Sequence, residues 1–105
     1  MLVIAVGLQC GCAPKLIDVG PRMGEPSIHQ QTLETTDGSS LPLRVWRPNG
    51  KANAVILALH GFNDYSNAFS IPGAYFSDQK IIVYAYDQRG FGTNKNAGMW
   101  PELII

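Results

Sequence analysis

Two short segments that contain glycine hold the residues whose types and spacing could do chemistry. The first is His60-Gly61-Phe62-Asn63, which directly follows a run of apolar residues. A loop of this kind can present a backbone N–H to the negatively charged oxygen that forms during acyl transfer. Gly61 would allow the chain to turn sharply and a substrate oxygen to approach the backbone. The pattern therefore predicts an oxyanion loop in which the amide of Phe62 is the donor, with His60 and Gly61 shaping the turn.

The second segment is Asp87-Gln88-Arg89-Gly90-Phe91-Gly92, which also follows an apolar run. A carboxylate and a guanidinium two residues apart can form bidentate hydrogen bonds, so we predict that Asp87 and Arg89 form a structural pair. Gly90 and Gly92 would make this loop tight. The two glycines resemble part of a dinucleotide-binding fingerprint, but Lys95 occupies the third glycine position, which argues against nucleotide binding.

The apolar runs before the two segments predict the strands that must position them. Ala54–Leu59 and Ile81–Tyr86 lack alternation, as expected of parallel strands that are covered on both faces. Between them, Ser70 is a candidate helix cap and Pro72 fits the first helical turn, so the connection is predicted to be a helical crossover. Ligands of such sheets bind where the strands end, and both segments lie at that point.

Upstream of these elements the sequence predicts an antiparallel hairpin. Ile28–Thr35 and Leu41–Trp46 are candidate strands, and Asp37-Gly38 between them is a strong turn signal. The fold class is therefore predicted to be α/β, with the hairpin followed by a parallel strand, a helix and a strand. Trp100-Pro101-Glu102 is predicted to start another helix. Two parallel strands make an incomplete sheet, so we expect the amino-terminal part of a larger domain.

The order of these motifs closely resembles the α/β-hydrolases, in particular the monoacylglycerol lipase, lysophospholipase and serine aminopeptidase-like group. The resemblance extends from about Ile28 to Ile105. It implies a Ser-His-Asp triad, no metal and no cofactor, and a nucleophile within a Gly-x-Ser-x-Gly motif. That motif is absent from this sequence, and family order places all three catalytic residues later in the chain. No catalytic residue is therefore assigned; His60 is interpreted as a packing residue and Asp87 as structural.

The function implied by the resemblance is hydrolysis of a carboxylic ester, such as a monoacylglycerol or lysophospholipid, by the full-length protein. Its partner would be a small acyl ester or lipid substrate. Two alternatives stay open on the sequence: an inactive fragment, and a lipid-anchored protein that is not an enzyme. The formal net charge is zero, with eight basic and eight acidic residues, so nucleic-acid binding is not expected.

The first residues resemble an export signal followed by a lipidation motif. Leu2–Leu8 is apolar but too short to span a bilayer. Gly11-Cys12-Ala13-Pro14 then resembles the lipobox of bacterial lipoproteins, which makes Cys12 a better lipidation candidate than Cys10. We predict a signal-like segment over 1–12, a linker over 13–26 and the hydrolase portion over 27–105. The expected location is the bacterial cell envelope, by a lipid anchor; a cytoplasmic enzyme is the alternative.

Overall fold

The computed structural model describes residues 11–101, which form short strands and a single α-helix that packs on the main sheet. A 3₁₀ turn at Ser66–Phe69 leads directly into helix α1, Ser70–Asp78. The strands, in chain order, are β1 Leu16–Ile17, β2 Ser27–His29, β3 Thr32–Glu34, β4 Ser40–Trp46, β5 Ala54–Ala58, β6 Ile81–Tyr86 and β7 Trp100–Pro101.

Five of the strands form one mixed sheet in the order β2-β3-β4-β6-β5. Strands β3 and β4 pair antiparallel, as do β4 and β6, whereas β5 and β6 run parallel and are joined through α1. The predicted fold class, an antiparallel hairpin followed by strand, helix and strand, is confirmed. Helix α1 lies over one face of β4 and β6, where Val83 and Ala85 are buried, whereas Leu41 and Leu43 are buried on the opposite face of the sheet.

The predicted strand over Ile28–Thr35 is wrong in one respect, because it is two strands. The chain reverses at Gln30, whose φ of 44° lies in the left-handed region, and β2 then pairs antiparallel with β3. A two-residue loop whose first residue has positive φ suits the twist of a tight hairpin. The next turn is placed as predicted: Gly38 has φ 77°, and its N–H donates to the carbonyl of Thr35 at 2.9 Å.

Helix α1 occupies the predicted crossover, but its first residue differs from the predicted cap. Phe69 is the N-cap and makes no side-chain capping bond, whereas Ser70 is already helical. Pro72 lies in the first turn, where its missing N–H costs no intrahelical bond. The helix ends at Asp78. Two residues later Lys80 adopts φ 66° in place of the usual glycine, and the Lys80 Nζ donates to the carbonyl of Asn49 at 2.6 Å.

Helix α1 approaches the sheet closely because it carries a glycine at the contact. A Cβ atom added to Gly73 would lie 2.4 Å from the indole ring of Trp46 on β4. No side chain fits in that space without moving the ring. This contact sets the distance between α1 and the sheet. It thereby also sets the position of the start of the helix, near the two loops.

Strand β5 is more exposed than its apolar sequence predicted. Val55 and Leu57 are each 64 % exposed, whereas Val83 on β6 is 2 % exposed. The reason is position: among residues 11–101, β5 has β6 as its one strand neighbour and lies at the edge of the sheet. The prediction that Ala54–Leu59 is covered on both faces is therefore not met by the described part of the chain.

The segment predicted as a linker over 13–26 contains strand β1, which pairs in parallel with β7. The N–H of Trp100 donates to the carbonyl of Lys15 at 2.7 Å, and Ile17 is buried. Trp100 and Pro101 are thus extended, and the prediction that they start a helix is wrong. Proline fits this short edge pairing because it has no N–H to donate. Glu102 and most of the predicted signal segment lie outside the described residues.

Candidate active site

The two predicted loops lie side by side because the strands before them are neighbours in parallel. Ala58, the last residue of β5, is in register with Ala85 on β6. The chain therefore leaves both strands at the same edge of the sheet, where the His60 and Asp87 segments begin. This is the edge at which ligands of such sheets bind.

His60 joins the two loops through one ring nitrogen and braces its own loop with the other. Its Nε2 accepts the backbone N–H of Gln88 at 2.9 Å, and its Nδ1 lies 2.9 Å from the carbonyl of Gly61. An acceptor at Nε2 and a donor at Nδ1 define the neutral tautomer with its proton on Nδ1. The Gln88 side-chain amide also donates to the carbonyl of His60 at 2.6 Å. A buried imidazole with both nitrogens engaged by backbone groups is suited to holding a loop, not to proton transfer.

Phe62 lies two residues after His60, and its backbone amide makes no hydrogen bond within the described part of the chain. No acceptor within residues 11–101 receives a hydrogen bond from the Phe62 N–H. Asn63 adopts φ 61°, so the chain turns away immediately after Phe62, and the N–H of Asp64 returns to the carbonyl of Gly61 at 3.3 Å. An N–H left without a partner in a fixed loop is the feature that an oxyanion site requires.

Asp87 is the buried anchor of the second loop. Its Oδ1 accepts the N–H of Ser66 at 2.9 Å, and its Oδ2 accepts both the N–H and the hydroxyl of Thr93, at 2.9 and 3.1 Å. Burial acts to raise the pKa of Asp87, but the hydrogen bonds from Ser66 and Thr93 outweigh it and lower the pKa below its ordinary value. The carboxylate joins the start of the helical region to the end of its own loop.

Arg89 is paired with the hairpin turn and not with Asp87, so the predicted Asp87–Arg89 pair is wrong. Its Nη2 donates to Asp37 Oδ1 at 2.7 Å and to Thr35 Oγ1 at 3.0 Å, and its Nη1 donates to Ser39 Oγ at 2.8 Å. Arg89 and Asp87 extend to opposite sides of the loop and bind different segments. The loop does connect its neighbours, but through two separate clusters of hydrogen bonds.

The contact between Arg89 and Asp37 makes the stability of the hairpin depend on pH. The guanidinium of Arg89 holds the pKa of Asp37 well below its ordinary value against the opposing effect of burial, with further help from Thr35 and Ser39. A depressed pKa stabilises the fold above the unfolded value of about 3.9, and this stabilisation is lost as the pH falls below it.

We therefore expect Asp37→Asn to lower the free energy of unfolding at pH 7 by about 2 kcal/mol, the scale of a charge-assisted hydrogen bond. The difference between wild type and variant should shrink as the pH approaches 3, because the wild-type carboxyl is then increasingly protonated in the unfolded chain. Urea unfolding of the complete protein at pH 7, 5 and 3 measures this. Asp18→Asn, at an exposed position, is the control. A difference that stays constant with pH would contradict the ion pair.

The two glycines of the second loop are required by close contacts. Gly90 has φ 83°, and a Cβ there would lie 2.1 Å from the carbonyl oxygen of Met99. Gly92 has φ 58°, and a Cβ there would lie 2.2 Å from Asp87 Oδ2. The Asn94 side-chain amide closes the loop by donating to three carbonyls, those of Asp87, Gln88 and Phe91. Sequence alone indicated the tight turn but not the contacts that require it.

Aromatic rings border the Phe62 amide and connect both loops to β7. The ring centroids of Phe62 and Phe91 are 5.6 Å apart, those of Phe62 and Trp100 are 5.5 Å apart, and His60 contacts the edge of Phe91 at 5.5 Å. A mostly apolar cavity of about 140 Å³ lies among these residues and Pro101. An apolar group of a substrate could therefore contact these rings, next to the loop that carries the Phe62 amide.

The described residues contain no group of three or more metal-ligating side chains close enough to hold an ion. Over the same range, no helix has the length and apolar character needed to cross a membrane.

Comparison with known proteins agrees with this geometry. The pattern of the serine aminopeptidase S33 family matches residues 50–103, about half of the chain and the part that contains both loops. The chain belongs to this family of α/β-hydrolases. Family membership explains why the free Phe62 amide and the Asp87 loop occur together at the carboxyl edge of one sheet.

Two curated relatives extend the comparison. The chain is 38 % identical over 72 residues to an uncharacterized abhydrolase domain-containing protein of Dictyostelium discoideum, an alignment that covers 68 % of this chain and 8 % of that protein. It is 29 % identical over 82 residues to the monoglyceride lipase of Homo sapiens, with 75 % of this chain and 27 % of the lipase covered. The chain thus spans well under a third of the length of either relative.

Proposed function

We propose that the complete protein hydrolyses carboxylic esters through a serine acyl-enzyme, and that the His60–Phe62 segment supplies half of its oxyanion hole. The observation that carries the proposal is the N–H of Phe62, which has no acceptor among residues 11–101 and belongs to a loop that His60 joins to Gln88. Membership of a hydrolase family supports the reaction class.

In the proposed reaction, a serine hydroxyl adds to the ester carbonyl while a histidine accepts the hydroxyl proton. The N–H of Phe62 and a second amide stabilise the negative oxygen of the tetrahedral intermediate. Collapse of this intermediate releases the alcohol, which takes the proton from the histidine. Water then adds to the acyl-serine in the same way and releases the carboxylic acid. In this mechanism the described residues bind the substrate and stabilise its negative oxygen, whereas the histidine that transfers the proton lies outside them.

None of the serines in this sequence is a suitable nucleophile. Ser66 accepts a hydrogen bond from Arg44 and is buried at the start of the helical region. Ser39 accepts a hydrogen bond from Arg89. The remaining serines also lack the Gly-x-Ser-x-Gly setting: Ser27, Ser40, Ser70 and Ser77. We therefore place the nucleophile, its histidine and its acid in sequence that follows residue 105.

The proposed substrate is an ester with an apolar acyl group, such as a monoacylglycerol or lysophospholipid. Two observations support this class: the apolar cavity among Phe62, Phe91 and Trp100, and the similarity to a monoglyceride lipase. An apolar acyl chain that contacts these rings would bring its carbonyl near the Phe62 amide, which favours reaction through proximity.

The direct test is hydrolysis by the complete protein of 4-nitrophenyl butyrate, a monoacylglycerol, a lysophosphatidylcholine and an aminoacyl 4-nitroanilide. We expect the esters to be cleaved and the anilide to be cleaved poorly or not at all. Cleavage of the anilide without cleavage of any ester would overturn the proposal in favour of a peptidase. The control is the same protein after reaction with a serine-directed fluorophosphonate, which should abolish the activity.

We also propose that the protein is exported and anchored in the bacterial cell envelope by a lipid on Cys12. The support is the sequence pattern of an apolar run followed by Gly-Cys-Ala-Pro, and Cys12 is exposed. In cells given radiolabelled palmitate, we expect Cys12→Ala to abolish labelling and the matched variant Cys10→Ala to preserve it. Labelling that survives Cys12→Ala would contradict the assignment.

A further inference from the structure

We propose that Trp100 is a positioning residue for the oxyanion loop: it holds the ring of Phe62, and thereby the Phe62 amide, in place. The inference rests on the proposed function, because it concerns the same amide. Trp100 lies about forty residues along the chain from Phe62. It belongs to the β1–β7 pair, which forms a two-stranded sheet separate from the main sheet.

The first support is the packing of Phe62 itself. Its side chain is 70 % exposed, so few contacts restrain it, and the two aromatic contacts it makes are to Phe91 and Trp100. On one side of Phe62, His60 is held two positions earlier by its hydrogen bond with Gln88. On the other side, Asn63 is in a left-handed turn. The ring contacts are therefore the restraint that acts on Phe62 directly.

The second support is that Trp100 is itself held from two directions. Its N–H donates to the carbonyl of Lys15 at 2.7 Å, and β1 pairs with it in parallel register, Leu16 opposite Trp100. Just before it, the N–H of Gly98 donates to the carbonyl of Gly90 at 2.8 Å, and the Met99 carbonyl lies where a Cβ on Gly90 would be. Strand β7 is thereby attached to the Asp87 loop.

These contacts form a continuous path from β1 through Trp100 to Phe62. The path explains why a two-residue strand pair is present beside this edge of the sheet. An oxyanion donor contributes only when it lies within hydrogen-bond distance of the developing charge, so small displacements of the loop reduce the rate. Loss of the Trp100 ring should therefore slow the chemical step, in addition to any weakening of substrate binding that follows from its place in the apolar cavity.

The experiment compares Trp100→Ala, Trp100→Phe and the control Tyr75→Ala in the complete protein with 4-nitrophenyl butyrate. Tyr75 is an exposed aromatic residue on α1 whose ring contacts Phe76. We expect Trp100→Ala to lower kcat about tenfold, a part of the hundredfold loss that a fully misplaced group can cause. A rise in KM beside it would report the lost contact between the ring and the acyl group. Trp100→Phe should recover most of kcat, and Tyr75→Ala should match wild type.

A second readout does not depend on activity. With 4-fluorophenylalanine at Phe62, Trp100→Ala should shift the ¹⁹F resonance and Tyr75→Ala should not. An active wild type with unchanged kcat in Trp100→Ala, a change in KM alone, or an unmoved ¹⁹F resonance would overturn the positioning role. A wild type that hydrolyses no ester would instead refute the proposed function on which that role rests.

Discussion

Asp87→Ala is expected to lower the free energy of unfolding by about 4 kcal/mol, the largest stability effect of any single change considered for this protein. The carboxylate is 1 % exposed and accepts three hydrogen bonds from Ser66 and Thr93. Its removal leaves buried donors without acceptors and opens a cavity, and each unsatisfied group costs about 1–3 kcal/mol. Urea unfolding of the complete protein at pH 7 measures the change.

Two further variants make this prediction specific. Asp87→Asn keeps the shape and one acceptor oxygen but directs an NH₂ group at a donor, so we expect an intermediate loss of about 2 kcal/mol. Asp18→Ala, at an exposed position, should change stability by less than about 0.5 kcal/mol. An Asp87→Ala protein as stable as Asp18→Ala would show that the carboxylate does not join the helical region to its loop.

Removal of the Phe62 N–H is expected to have the largest effect on activity. Replacing Phe62 with phenyllactic acid, by nonsense suppression, converts the amide to an ester and leaves the side chain unchanged. Loss of one oxyanion donor typically reduces kcat by about 10² to 10³, and the same reduction is predicted here with little change in KM. Steady-state kinetics with 4-nitrophenyl butyrate provide the measurement.

The matched control is phenyllactic acid at Phe76, which lies on α1 and is not part of the loop. That variant loses a backbone donor too, so it reports the general cost of the ester bond. If both variants lose activity equally, the Phe62 amide has no special role in the reaction. If neither loses activity, the oxyanion donor lies elsewhere and the assignment of the His60–Phe62 segment is wrong.

Much of this architecture could be predicted because local patterns determine it. The apolar runs that precede His60 and Asp87 predicted parallel strands, and Asp37-Gly38 predicted the hairpin turn. The prediction failed at Gln30, a residue with no turn signal of its own, whose positive φ divides one expected strand into two. It also failed at Trp100, because the partner that makes it extended is β1, more than eighty residues earlier.

The site followed the same rule. The His60 and Asp87 segments were found because their residue types are adjacent in sequence. The true partner of Arg89 was missed because Asp37 lies some fifty residues away in sequence, in the turn between β3 and β4. Ser66, Thr93 and Asn94 were missed for a similar reason: ordinary polar residues become significant only when the fold directs them at one buried carboxylate or at loop carbonyls.

We propose that this chain contributes an oxyanion loop to a serine hydrolase whose nucleophile lies in later sequence. The most direct test is to label the complete protein with a fluorophosphonate and identify the modified residue by peptide mass spectrometry. We predict a single modified serine, within a Gly-x-Ser-x-Gly motif after Ile105, and no modification of the six serines in this chain. Modification of any of those six, or of no serine in a protein that hydrolyses esters, would contradict the account.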